Sequence, residues 1–242
     1  MAYFRFLNHF LILTLLLLFS GQGVRADIRS DSELAQKSCL RVQLAYLLSE
    51  YVGESEGLSK KGPEYKPRYF SKEERKKYLV TIQSDGKFVD TSGRGVSTED
   101  SRTESSNGKG RAIFVMSENL ELFMHTKQEE GKIHHSSLIA GEPAAAAGEM
   151  VIWGGYLRVI SDRSGHYSPH PEQMLALLKY LKDKGVDLTN VTVEFRSDKL
   201  TDEIREKINE LGVQPKNIKQ LSNSKGLSPR LQEMLRRRGI TD

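Results

Sequence analysis

The chain has a single cysteine, Cys39, in 242 residues. One thiol excludes an internal disulfide and a cysteine-based zinc site. Roughly 215 residues remain after the N-terminal segment discussed below, enough to bury a core without such staples. Cys39 falls in a stretch with helical spacing, so a buried thiol is the simple reading and an intermolecular disulfide the sharper one. Charge of one sign is also scarce. The formal net charge is +4, and two of those charges, Arg5 and Arg25, lie in the first 26 residues. The pI near 9.0 therefore describes a nearly balanced surface, and a nucleic-acid partner is not expected. The uncharged run Phe10 to Phe19 is ten residues long, whereas a membrane-spanning helix needs roughly 20.

That short run sits between a basic head with Arg5 and a small-residue exit at Val24 and Ala26. These are the three parts of a secretory signal. Cleavage is expected after Ala26, giving a secreted or periplasmic protein with no transmembrane segment. No cysteine stands near the cut, so a lipoprotein is not expected.

The rest of the chain shows two periodicities. Leu34, Leu40, Leu44, Leu47 and Leu48 space as a helix over 31 to 51. Residues 53 to 70 carry Gly, Lys and Pro and read as a surface connection. SKEERKKYLV reads as a short charged helix running into a strand. YLVTI and KFVDT flank SDG, a hairpin signal. Residues 92 to 110 are polar and Gly-rich and predict an exposed, mobile loop. AIFVM, LELFMHT, IHHSSLIAG, GEMVIW and YLRVIS complete a β-meander of roughly seven strands.

Beyond it, PEQMLALLKYLKDKG places Met174, Leu177, Leu178 and Leu181 on one helical face. VTVEF reads as a strand, TDEIREKINELG as a helix, NIKQL as a short strand and SPRLQEMLRRRG as a last helix. Gly185-Val186, Gly212-Val213 and Gly239-Ile240 recur at a spacing of 27, which implies repeated helix–strand units. The expectation is an α+β fold: an N-terminal helix, a central antiparallel β-rich domain and a C-terminal αβαβα tail. The expected segments are a signal peptide at 1–26, helix and connection at 27–70, the β-rich core with its helix at 71–196 and the tail at 197–242.

KYLVTIQSDGKFVDTSG, KGRAIFVMS, KIHHSSLIAG, AAGEM, GGYLRVISDRSGHYSP and GVDLTNV stand in this order. The series resembles the core of the plant IQ-motif calmodulin-binding family, with its HSS-x-x-AG, AAG, SGHY-x-P and GVDLT segments. In that family the calmodulin-binding element is an IQ helix preceding the core. Residues 27 to 70 show no IQ-x-x-x-RG-x-x-x-R pattern, so calmodulin binding is not expected here. The resemblance implies the shared core and carries no catalytic residues with it. The absence of an IQ helix and the signal segment together point to a bacterial exported homologue.

Candidate site residues come from the two polar motifs. His135, Ser136 and Ser137 are neighbours and alternate faces if the segment is a strand, so their adjacency alone makes no Ser–His couple. His166 and Tyr167 of SGHY supply a second segment, and Glu149 a carboxylate to orient a histidine or act as a base. Turn and cap grammar accounts for most of the same residues. His125, His134, His135, His166 and His170 match no tight metal spacing such as HExxH, so neither metal nor cofactor is expected. A looser pattern, His135 with Tyr167 and Glu194, resembles an ADP-ribosyltransferase-like site. The last helix carries Arg230 and ends in Arg236, Arg237 and Arg238; the helix dipole favours basic charge at that end, and docking to an acidic groove or an anionic lipid surface is the sharper reading.

Two functions follow. The first is a secreted binding or interaction domain, an effector engaging a protein partner, with the two motifs at separate turns. The second is a secreted enzyme, a transferase or hydrolase, with the motifs converging in one pocket.

Overall fold

β-branched and aromatic residues in short runs, broken by Gly-containing turns, build the sheet. A computed structural model describes residues 44–105, 108–196, 200–213 and 215–217. The chain divides into two compact units, Met1–Cys39 and Leu40–Asp242. The first unit lies outside the described residues, with the signal segment, Cys39 and the start of the expected N-terminal helix. The expected helix over 228 to 239 lies outside them too.

Eight strands occur among the described residues: β1 (Leu79–Ile82), β2 (Phe88–Val89), β3 (Ala112–Ser117), β4 (Leu122–His125), β5 (Ala144–Trp153), β6 (Tyr156–Ser161), β7 (Thr192–Phe195) and β8 (Pro215–Asn217). They form one sheet in the order β2-β1-β4-β3-β5-β6-β7-β8. The SDG hairpin is present, with Thr81 opposite Val89. Four α-helices occur among the described residues: α1 (Lys72–Arg75), α2 (His135–Ile139), α3 (Pro171–Asp183) and α4 (Asp202–Asn209). The fold is α+β.

The antiparallel expectation holds from β1 to β6 and ends there. β6–β7 and β7–β8 are parallel, so the helix–strand units extend the central sheet rather than forming a tail beside it. The physical cause is the apolar face of each crossover helix, which must return to the sheet to be buried. Leu177, Leu178 and Leu181 of α3 and Ile204 and Ile208 of α4 pack with Phe114, Met150, Ile152 and Ile160. The opposite face, with Ile113, Val115, Phe123 and Ala147, is covered by Leu138 and Ile139 of α2, by Phe70, Ala45 and Tyr167. Both faces are covered, which is why AIFVMS is buried at every position.

Three local expectations are corrected. Residues 44 to 50 are not helical. Ala45 exchanges backbone hydrogen bonds with Ala144 at 2.8 and 2.9 Å, and the Leu48 N–H donates to the His166 carbonyl at 2.9 Å. β6 ends at Ser161, so the start of β5 lacks a ladder partner on that side, and the incoming chain supplies one. HHSS is not a strand. It opens α2, where the Ser137 hydroxyl accepts from the His134 N–H at 3.0 Å, a capping contact that favours a helical turn. Five residues are too few for the 3.6-residue period to show in sequence. The polar loop of 92 to 110 is not simply exposed: Thr98, Ser101 and Thr103 are buried. Thr98 donates its hydroxyl to the Gly110 carbonyl at 2.8 Å and accepts from the Ile152 N–H at 3.0 Å, so polar residues here satisfy core backbone groups. No helix among the described residues is long and apolar enough to cross a membrane.

Candidate functional site: a tyrosine–histidine pocket

On the α2 face of the sheet, the segments around Tyr51, Tyr65, His134 and His166 enclose a pocket of about 550 Å³. Its size falls within the range of small-molecule sites. β5 supplies Glu149 to the lining, α2 and its cap supply His135 and His134, and the loop after β6 supplies Arg163 and His166. The two polar motifs thus share one cleft.

Tyr65 joins them. Its hydroxyl lies 3.0 Å from His134 Nε2 and 3.1 Å from His166 Nε2. The His134 and His166 rings are 4.5 Å apart, and Tyr51 stacks on His166 at 4.0 Å. His166 Nε2 also stands 3.0 Å from Glu54 Oε2, and that carboxylate has no solvent exposure. Tyr69 donates its hydroxyl to the other Glu54 oxygen at 3.1 Å. Burial works against ionising Glu54, but His166, Ser136 and Tyr69 outweigh it and hold its carboxyl below the usual range.

His134 and His135 are set differently. The Gly131 N–H donates to His134 Nε2 at 3.0 Å, so that nitrogen is an acceptor and only the neutral ring serves. Burial, with His166 nearby, depresses the His134 pKa to about 4. His135 donates from Nε2 to the Gly148 carbonyl at 2.9 Å, and burial depresses its pKa to about 3. Both rings are neutral at ordinary pH.

At the sheet side of the pocket, Glu149 meets a buried ion cluster. Arg111 reaches across to Glu194 with two hydrogen bonds of 3.0 and 3.1 Å, and its Nη1 lies 3.7 Å from Glu149 Oε2. Burial raises the Glu149 pKa, although Arg111 opposes this. Ser105 donates to Glu149 at 3.3 Å.

The candidates named from sequence divide accordingly. His135, His166 and Glu149 line the pocket. Ser136 lies buried behind it, beside Glu54. Ser137 caps α2. Tyr167 donates its hydroxyl to the Glu142 carbonyl at 2.9 Å and packs in the core. Glu194 is engaged by Arg111, so His135, Tyr167 and Glu194 each already have a partner. Sequence reasoning missed Glu54 and Tyr65, because residues 53 to 70 read as a plain connection, and Tyr51, because it closed an expected helix. Three tyrosines in and beside it, Tyr51, Tyr65 and Tyr69, were the available signal.

The shared motifs have physical roles here. Gly141 has φ +73°, and a Cβ on it would lie 2.6 Å from the Tyr69 hydroxyl. A Cβ on Gly148 would lie 1.7 Å from the Ser161 carbonyl oxygen. The AG and AAG glycines therefore keep the walls of this site closely packed.

Residues 74–174 match the family model of the IQ motif-containing protein middle domain. The chain resembles that core of the plant family. IQ domain-containing protein IQM2 of Arabidopsis thaliana is 36% identical over 124 residues, 51% of this chain and 20% of that protein. IQM3 of the same plant is 36% identical over 132 residues, 54% of this chain and 27% of that protein. IQM5 is 32% identical over 130 residues, 54% and 24% of the two chains. The chain thus spans only about a quarter or less of the length of these relatives. No solved structure matches it. The middle-domain match includes His134, Gly141, Gly148 and His166 but not Glu54, Tyr51 or Tyr65, so the pocket is completed from outside the matched span.

Proposed function

We propose that this protein is an exported binding module, a bacterial effector, whose ligand enters the tyrosine–histidine pocket. The observation that carries the reading is the Tyr65 hydroxyl held between His134 and His166 in a cleft that both polar motifs share. A neutral His134, a His166 backed by Glu54 and two tyrosine rings form a wall with fixed donors and acceptors, the composition of a pre-formed recognition site. The plant relatives are named for an IQ domain, and a role in partner recognition agrees with that.

A library of polar metabolites, screened by thermal shift against the protein and its Tyr65→Ala variant, tests the reading. It requires a compound that raises the melting midpoint of the parent and not of the variant. If every compound acts equally on both, the pocket is not a binding site. Fusing residues 1–26 to a reporter tests export: the reporter is expected outside the bacterial inner membrane, and retention in the cytoplasm overturns it.

One observation favours a second reading, an acid–base enzyme of the transferase or hydrolase kind. His166 faces the pocket with the buried Glu54 carboxylate behind it, the pairing that orients a general base. Turnover of a bound ligand that is lost in His166→Gln but retained in Tyr167→Phe would carry this reading; binding without turnover would leave the first.

A further inference from the structure

The end of the sheet beside this pocket carries a second feature. β6 and β7 are parallel, with Ser161 opposite Glu194. Arg163 and Arg196 each follow two residues further along their own segment, beyond the strand ends. The Asp162 N–H donates to the Glu194 carbonyl at 3.2 Å, and the Arg196 N–H donates to Asp162 Oδ1 at 2.6 Å. The two strand ends are therefore tied together just where the arginines leave them. Two like charges therefore leave neighbouring strand ends. Both arginines line the pocket.

Other charges on the lining are largely spoken for. Glu149 is engaged by Arg111 and Ser105, Glu104 by the Gln128 amide and Lys61 by Glu50 at 3.1 Å. Glu130 is an exposed rim carboxylate. Arg163 acts by its charge on Glu149, while Arg196 is exposed. A pair of guanidinium groups at the carboxyl ends of neighbouring parallel strands, opening into a cleft, fits an anion with several acceptor oxygens. The opposite wall is aromatic, with Tyr51, Tyr65 and His134.

We propose that the pocket binds a nucleoside diphosphate, with its phosphates on Arg163 and Arg196 and its base toward the tyrosine–histidine wall. This rests on the binding reading above and names its ligand class. The planar fork of arginine suits phosphate oxygens in a way that lysine does not, and the pocket volume accommodates a ligand of this size.

Titration calorimetry of the full chain with ADP, inorganic pyrophosphate and adenosine tests the assignment. ADP is expected to bind saturably, pyrophosphate more weakly and adenosine weakest, with added salt weakening ADP. Arg163→Gln and Arg196→Gln are each expected to weaken ADP by about tenfold or more, with unchanged melting midpoints. The assignment is overturned if neither ADP nor pyrophosphate binds, if adenosine binds as tightly as ADP, or if both arginine variants bind ADP normally. Pyrophosphate binding more tightly than ADP overturns the base contact. If ADP fails while another compound still stabilises the protein through Tyr65, the phosphate assignment falls and the binding reading stands.

Discussion

Glu54 and His166, 112 positions apart in sequence, meet at 3.0 Å with both side chains almost wholly excluded from solvent. The carboxylate comes from a connection that looks polar and ordinary, the imidazole from a turn after β6. Glu54→Gln keeps the shape and removes the charge, leaving His166 without its charged acceptor. The expected cost is about 2 kcal/mol, the penalty of leaving a buried polar group without its charged neighbour. Urea unfolding of the variant measures it, and an unchanged midpoint would mean the pair contributes no net stability.

Tyr65→Phe removes one hydroxyl and leaves the ring. His134 and His166 then lose their common partner, and a loss of about 1 kcal/mol is expected. Combined with Glu54→Gln, the effects are expected to be non-additive, because both act on His166 Nε2. A double-mutant cycle showing simple additivity would contradict a single connected network.

Acid is expected to destabilise the fold through His134 and His135. Their folded pKa values, about 4 and about 3, lie below the unfolded value near 6.5. The unfolded chain therefore binds more protons as pH drops below about 6.5. Stability is full above that pH and is lost as pH falls toward the folded values, with each ring contributing up to about 1.4 kcal/mol per pH unit. Melting curves across this range should fall steeply, and less steeply for His134→Gln. A His134→Gln profile parallel to that of the parent would show that the ring titrates normally.

Gly148→Ala is expected to cost about 3 kcal/mol or to prevent soluble expression, because the new methyl overlaps the Ser161 carbonyl in the neighbouring strand. Gly165→Ala is the control, since nothing lies within 4 Å of a Cβ there. Equal stability of the two variants would mean that β5 and β6 separate freely at Gly148.

Local pattern was enough wherever a segment pays its own way in periodicity. The SDG hairpin, β3 and the apolar face of α3 all follow from residues within a few turns or one strand pair. The His166 motif was also visible as a polar segment at a turn. HHSS was legible as chemistry but not as a helix, because five residues do not complete a period and the decisive contacts are one capping bond and burial against the sheet.

By itself the sequence determined the longer periodic elements, the α+β class and two polar segments worth testing, since these depend on neighbours a few residues apart. Tertiary structure alone decided that His134 rather than His135 meets His166 through Tyr65, that Glu54 is buried behind them, and that Arg163 and Arg196 line the same pocket. Those relations depend on strand register and on which segment covers which face of the sheet. Such contacts join residues 32 to 112 positions apart, and no local periodicity encodes a distance of that kind.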